Sequence, residues 1–293
     1  MTLIAGFPGV TCSARSARGQ GIGAELSHAV VEIGEDPRVA TLDRDGLRIN
    51  YEVHGAAAGR PPLLLTHGFG ASGGMWSPNV AALASDRQVI TWDMRGHGAS
   101  DAPDDQSLYS HTACVGDMAA LLDTVGAARA VVGGMSLGGY LSLIFHLSHP
   151  ERAAGLLLID TGPGFRDEQA RESWNRWALG AADRLEESGT AGLNGGPEQV
   201  QANHVHGGRG LAHAARGMLV QHDSRVIDSL QQIAVPTLIL LGGRDEDYLA
   251  AAEVMANRIP RARKVVLAGA GHAANMDAPE EFNIAVREFL EEF

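Results

Sequence analysis

The chain has 293 residues, 45% of them hydrophobic and 20% charged, enough for one large α/β domain or two small ones. A formal net charge of −12 with no local cluster of Lys or Arg argues against a nucleic-acid partner. No apolar run approaches the roughly 20 residues that span a bilayer, so no membrane association is expected. The two cysteines, Cys12 and Cys114, make neither a disulfide framework nor a metal-ligand spacing, which suits a cytoplasmic, reducing compartment.

Residues 1–38 read as an N-terminal extension, disordered or loosely attached. The opening lacks the basic n-region of a secretory signal, and residues 11–24 carry two arginines, several small residues and no acid. From Val39 the pattern becomes regular. "VATLDRDGLRINYEVHG" reads as a hairpin around Arg44-Asp45-Gly46. "PPLLLTHGFG" is a buried strand running into glycines. "MWSPNVAALAS" follows as a helix with Ser77 as N-cap and Pro78 at its first position. "RQVITWDMRGHGAS" is a second buried strand with a glycine-rich loop. His111 to Val125 is an amphipathic helix with the stripe Cys114, Met118, Leu121, Leu122. "ARAVVGG", "LGGYLSLIFHLSH" and "GLLLIDTG" then read as strand, helix and strand. Uninterrupted apolar strands alternating with helices imply a mostly parallel sheet with helices on both faces.

The alternation fails between Thr161 and about Ser224, where "FRDEQARESWNRWALGAADRLEESG" is charged and amphipathic and "NGGPEQVQANHVHGGRG" is loop-like. It returns after Val235-Pro236 with "TLILLGG", a helix over Tyr248 to Arg258, "KVVLAG" and a last helix from Pro279. The expected organisation is therefore an α/β core over 39–160 and 226–293 with an inserted helical cap over 161–225 at the sheet's C-terminal edge.

Gly134-Met135-Ser136-Leu137-Gly138 fits G-x-S-x-G. By itself the pattern is weak, but it lies between a strand and a helix, where a sharp turn would expose the serine and aim free N–H groups at a developing oxyanion. A serine hydroxyl needs a base, and "GAGHAAN" supplies His272 just after the strand "KVVLAG". The base needs a carboxylate, and "LLGGRDEDY" supplies Asp245 beyond the preceding strand. Asp160 and Asp247 are the other carboxylates at that sheet edge. "THGFGASGGMW" offers glycine-flanked N–H groups, so the backbone amides of Phe69 and Leu137 are the expected oxyanion donors.

These residues together resemble the α/β-hydrolase fold, in its serine-nucleophile branch, from about Val39 to the C-terminus. His67-Gly68-Phe69-Gly70 resembles the HGxG loop, Gly134 to Gly138 the nucleophile elbow, Asp245 the acid and His272 the base. "DMRGHGAS" resembles a loop shared by esterases, lactonases, C–C bond hydrolases and perhydrolases. Serine at position 136 separates the chain from the aspartate-nucleophile members of the fold. The resemblance implies a serine esterase or lactonase of small substrates, working without metal or organic cofactor, as a monomer or homodimer. C–C bond hydrolysis of a ring-cleavage product, perhydrolysis and a triad-bearing ligand receptor are the alternatives.

Trp76, Met135, Trp174 and Trp177 are candidate substrate-pocket residues, the last two sharing one helix face. Asp93 and Arg95 are expected to tie their loop down. His204, His206, His213 and His222 lack a carboxylate or cysteine at ligand spacing and are expected to be solvated or pocket-lining, with no metal site. Arg166, Arg171, Arg176 and Arg209 are the cap residues that could hold a substrate carboxylate.

Overall fold

The computed structural model describes residues 38–193 and 195–293, so the expected N-terminal extension lies outside the described residues apart from Arg38, where the first strand begins. Among the described residues the strands are β1 Arg38–Arg44, β2 Leu47–His54, β3 Leu63–Thr66, β4 Val89–Trp92, β5 Ala130–Met135, β6 Ala153–Ile159, β7 Thr237–Gly242 and β8 Ala262–Leu267. They form one sheet in the order β1-β2-β4-β3-β5-β6-β7-β8. The β1–β2 hairpin joins antiparallel, β2 meets β4 antiparallel, and every later pairing is parallel.

The apolar strand runs are explained by burial on both faces. Leu64, Ile90, Val132, Leu156, Leu158 and Ile239 belong to one core cluster, and Leu63, Leu65, Val131, Leu157, Leu238 and Leu240 to the other. Neighbours in sequence point to opposite faces, so each β3–β7 strand must be hydrophobic throughout. Helix α1 (Ser77–Leu83) covers the second face, whereas α2 (His111–Thr124) and α3 (Leu137–Ser148) cover the first. Helix α3 is buried over most of its length, as its nearly all-round apolar sequence demands. Ser77 differs from its expected role: it is already helical, at φ −52° and ψ −35°, and its hydroxyl donates to Gly74 O instead of accepting from the first turn. A short 3₁₀ turn, Gly73–Trp76, precedes α1 and moves the helix start back by one residue.

Between β6 and β7 the chain is helical: α4 Glu168–Ser188, α5 Pro197–Val200, α6 Gly208–Ala214, a π-helical turn Ala215–Leu219, and α7 Arg225–Ser229. Asp167 caps α4 through Ala170 N–H. Ala178, Ala182, Leu185, Leu211 and Met218 pack into the same cluster as α2 and α3. After β7 come α8 Glu246–Arg258, α9 Ala274–Asp277 and α10 Pro279–Leu290, with Phe282, Val286 and Phe289 of α10 sealing the second face. No helix among the described residues is long and apolar enough to cross a membrane.

Candidate active site

Ser136 stands between β5 and α3 with φ 51° and ψ −115°, a conformation that costs an L-residue about 1–3 kcal/mol and persists only where its surroundings impose it. The surroundings do impose it. Ser136 N–H donates to Ile159 O at 2.9 Å, and its carbonyl accepts from Thr161 Oγ1 at 2.6 Å and from Tyr140 N–H at 3.1 Å. The flanking glycines permit the turn to sit against β3: a Cβ on Gly138 would lie 2.2 Å from Thr66 O, and one on Gly134 would lie 2.5 Å from the Gly138 carbonyl carbon. Strand, glycine, serine, glycine and helix are thus locked together by backbone contact.

The loop after β8 carries His272, and its Nδ1 is 2.8 Å from Oδ2 of Asp245, three residues beyond the end of β7. Asp245 precedes α8, where an aspartate would ordinarily cap the helix, yet its carboxylate makes no capping bond and faces the imidazole instead. Burial pushes His272 down, but the bond and charge of Asp245, with Asp160 and Glu198 adding to them, outweigh it and hold the pKa above the ordinary 6.5. Asp160, at φ 42°, turns its carboxylate to the N–H groups of Gly242 (2.7 Å) and Ala274 (3.2 Å), bracing the loops that carry Asp245 and His272. Burial raises its pKa, against the lowering effect of those two donors. Tyr248, in the first turn of α8, stacks on His272 with ring centres 5.0 Å apart. Burial pushes its hydroxyl up to about 12 against the lowering effect of a hydrogen bond with Ser136. Among the described hydrogen bonds none joins Ser136 Oγ to the His272 ring; the polar contact of the serine side chain is with Tyr248.

The His67–Gly70 loop follows β3. His67 Nδ1 donates to Gly68 O at 2.7 Å and Nε2 accepts from Met94 N–H at 3.0 Å, so the ring is neutral and its tautomer fixed. Burial takes its pKa down to about 4, against the raising influence of Asp93. Asp93 accepts from Asn50 Nδ2, Gly73 N and Ala99 N, and Arg95 forms a two-pronged pair with buried Asp117. His204, neither solvated nor pocket-lining, clamps this loop from the helical segment, with Nε2 on Gly70 O (2.9 Å) and Nδ1 accepting from Gly98 N (3.0 Å). Neither Phe69 N–H nor Leu137 N–H donates within the described hydrogen bonds. No group of three or more His, Cys, Asp or Glu is placed to hold a metal among the described residues.

A cavity of about 760 Å³ opens above the elbow, and its wall brings together Ser136, Asp245, His272, Phe69, Leu137, Met135, Trp174 and Trp177. Trp76 is not brought there: it is fully buried beneath α1 and α10, its ring 6.4 Å from Phe282. Trp174 is fixed by an Nε1 hydrogen bond of 2.7 Å to Leu219 O, a carbonyl at the end of the π-helical turn. None of the four candidate cap arginines lines the cavity: Arg166 pairs with Asp228, Arg176 with Glu172, Arg209 with Asp104, and Arg171 bonds Phe165 O. Tyr248, Glu198 and Gln221 line the wall although nothing in their local sequence singles them out.

A family model described as the alpha/beta hydrolase family matches residues 63–285. The chain belongs to the alpha/beta hydrolase family. It is 26% identical over 263 residues to 3-oxoadipate enol-lactonase 1 of Acinetobacter baylyi, covering 83% of this chain and 93% of that one. A thermophilic esterase from Thermogutta terrifontis is 30% identical, with a TM-score of 0.71, over 88% of this chain and 98% of that chain. A hydrolase from Pseudomonas aeruginosa is 27% identical, with a TM-score of 0.71, over 86% of this chain and 98% of the other.

Proposed function

We propose that this chain is a serine hydrolase of small carboxylic esters or lactones, with Ser136 as nucleophile, His272 as general base and Asp245 as its carboxylate partner. The observation that carries the reading is the strained Ser136, set at the mouth of one cavity with the bonded His272–Asp245 pair. His272 Nε2 takes the hydroxyl proton as Oγ bonds to the substrate carbonyl carbon. The two unengaged N–H groups, of Phe69 and Leu137, receive the oxyanion. Collapse breaks the bond to the alcohol oxygen, and His272 returns the proton to that leaving group. Water then attacks the acyl-enzyme, its proton passing through His272 back to Ser136 Oγ as the acid departs. Asp245 holds the ring with Nδ1 protonated, leaving Nε2 free for these transfers. The segment over 161–225 acts as a cap that sets substrate size and limits water. Esterase and lactonase names among the similar proteins support the same reading.

A C–C bond hydrolase of a ring-cleavage product would need a cation to hold a dienoate carboxylate, and the described cavity wall contains no Lys or Arg. The test combines turnover of nitrophenyl esters and lactones with labelling by a fluorophosphonate. Covalent label on Ser136 and loss of turnover in Ser136→Ala are expected. Label on another residue, or full turnover in Ser136→Ala, would overturn the assignment.

A further inference from the structure

The described wall of the cavity carries three carboxylates, Glu198, Asp245 and Asp247, against one imidazole, His272, and no Lys or Arg. Asp245 is engaged by His272. Glu198 adds its charge to the field that raises the His272 pKa, but no hydrogen bond or ion pair among the described residues engages it. It is 6% exposed, its carboxylate accepts no hydrogen bond among the described residues, and Oε2 is wholly buried. The carboxylate is seated directly over Gly196, where a Cβ would lie 2.4 Å from Oε1, so the backbone beneath it is shaped to receive it. Gln221, also on the wall, is likewise 6% exposed, and its Oε1 is buried with no hydrogen-bond partner among the described residues. Its backbone is clamped by Asn175 through two bonds of 2.8 Å, so the residue is held at the wall while its side-chain amide makes no hydrogen bond among the described residues.

An unpartnered buried carboxylate is costly to keep, and a donor brought by a ligand removes that cost. A ligand carboxylate would do the opposite, bringing a like charge to a wall with no cation to receive it. We propose that the cavity selects molecules whose non-reacting end carries a hydrogen-bond donor, a primary ammonium group above all, held by Glu198, with Gln221 a second polar group on the same wall, and that it rejects molecules ending in a carboxylate. Applied to turnover, this rests on the hydrolase reading above and narrows it to esters or lactones bearing an ammonium, amide or hydroxyl group. The preference in binding holds independently of which residue is the nucleophile.

The experiment has two arms on the full chain at neutral pH. In the binding arm, hexylammonium, hexanol and hexanoate are titrated by calorimetry into wild type, Glu198→Gln, Glu198→Lys and Gln221→Leu. Hexylammonium is expected to bind at least about tenfold tighter than hexanoate to wild type, since an opposed and a like charge beside a buried carboxylate differ by at least about 1.4 kcal/mol. Glu198→Gln should shrink that ratio to within about threefold and Glu198→Lys should invert it, whereas Gln221→Leu should weaken hexylammonium more than hexanol. Equal or tighter binding of hexanoate by wild type overturns the proposal, as does a ratio unchanged in both Glu198 variants. In the turnover arm, nitrophenyl esters of hexanoate, aminohexanoate and adipate are compared, with the ammonium ester expected to exceed the carboxylate ester in kcat/KM and Glu198→Gln to compress the difference. Failure to turn over any of the three, or turnover that survives Ser136→Ala, counts against the hydrolase reading alone, because the binding arm still decides the charge preference.

Discussion

Replacing Ser136 with glycine and, separately, with alanine separates the chemistry of this residue from the strain of its backbone. Both variants lose the hydroxyl and its contact with Tyr248, so both should be inactive toward esters. Alanine keeps a Cβ and with it the unfavourable φ 51°, ψ −115°. Glycine releases that strain, a gain of about 1–3 kcal/mol. Against it stands the wider conformational freedom of glycine in the unfolded chain, which costs about 0.4–1 kcal/mol. The net favours Ser136→Gly over Ser136→Ala by about 1 kcal/mol, a difference of about 2–4 °C in Tm for a domain of this order of size. Thermal and urea unfolding of the two inactive variants, compared under one set of conditions, reads this directly. A glycine variant that melts at or below the alanine variant would refute the idea that the elbow stores backbone strain around its serine.

Asp245→Asn should lower kcat by about 10⁴, because the amide leaves the imidazole in the wrong tautomer. The same change at Asp247, which makes no bond to His272, should leave kcat within about tenfold, as steady-state kinetics on both variants would show. The pH dependence of kcat/KM should rise through a midpoint above 6.5, since His272 must be neutral to act as base and its folded pKa is raised; Asp245→Asn should bring any residual limb down. The same raised pKa favours the fold fully below pH 6.5, and that contribution fades as pH climbs through the folded value, which unfolding measured along a pH series would register. Gly138→Ala, whose new methyl would meet Thr66 O at 2.2 Å and His67 O at 2.7 Å, should destabilise by about 3 kcal/mol and depress turnover by displacing the elbow, both measurable by urea unfolding and an ester assay.

Much of the candidate site is legible in the sequence because its signals are local. A G-x-S-x-G pattern between a β-branched strand and an apolar helix marks a sharp turn, and the aspartate and histidine each follow a short apolar strand. The choice among carboxylates was harder. Asp160 and Asp245 both lie just beyond strand ends at one sheet edge, and only the rotation of each chain segment decides which carboxylate meets the imidazole: Asp245 turns to His272, while Asp160 turns to two backbone N–H groups. Ser77 was a plausible cap by residue type, yet the preceding 3₁₀ turn drew it into the helix. His204 gave no hint of clamping Gly70 and Gly98, which lie more than 100 residues earlier.

Periodicity, glycine placement and the order serine, aspartate, histidine were enough by themselves to determine a mostly parallel sheet with helices on both faces and to place a nucleophile candidate at its edge. They are enough because backbone geometry and strand burial act over a few residues, and so leave a local record. Tertiary structure alone decided what faces the serine. Trp76 went to the core and Trp174 to the cavity, a difference that residue type alone does not record. Glu198 and Gln221, from stretches without periodicity, arrived at the cavity wall because the helical segment folds back over the strand ends. Contacts across such separations depend on how whole elements pack, and no short window of sequence records that.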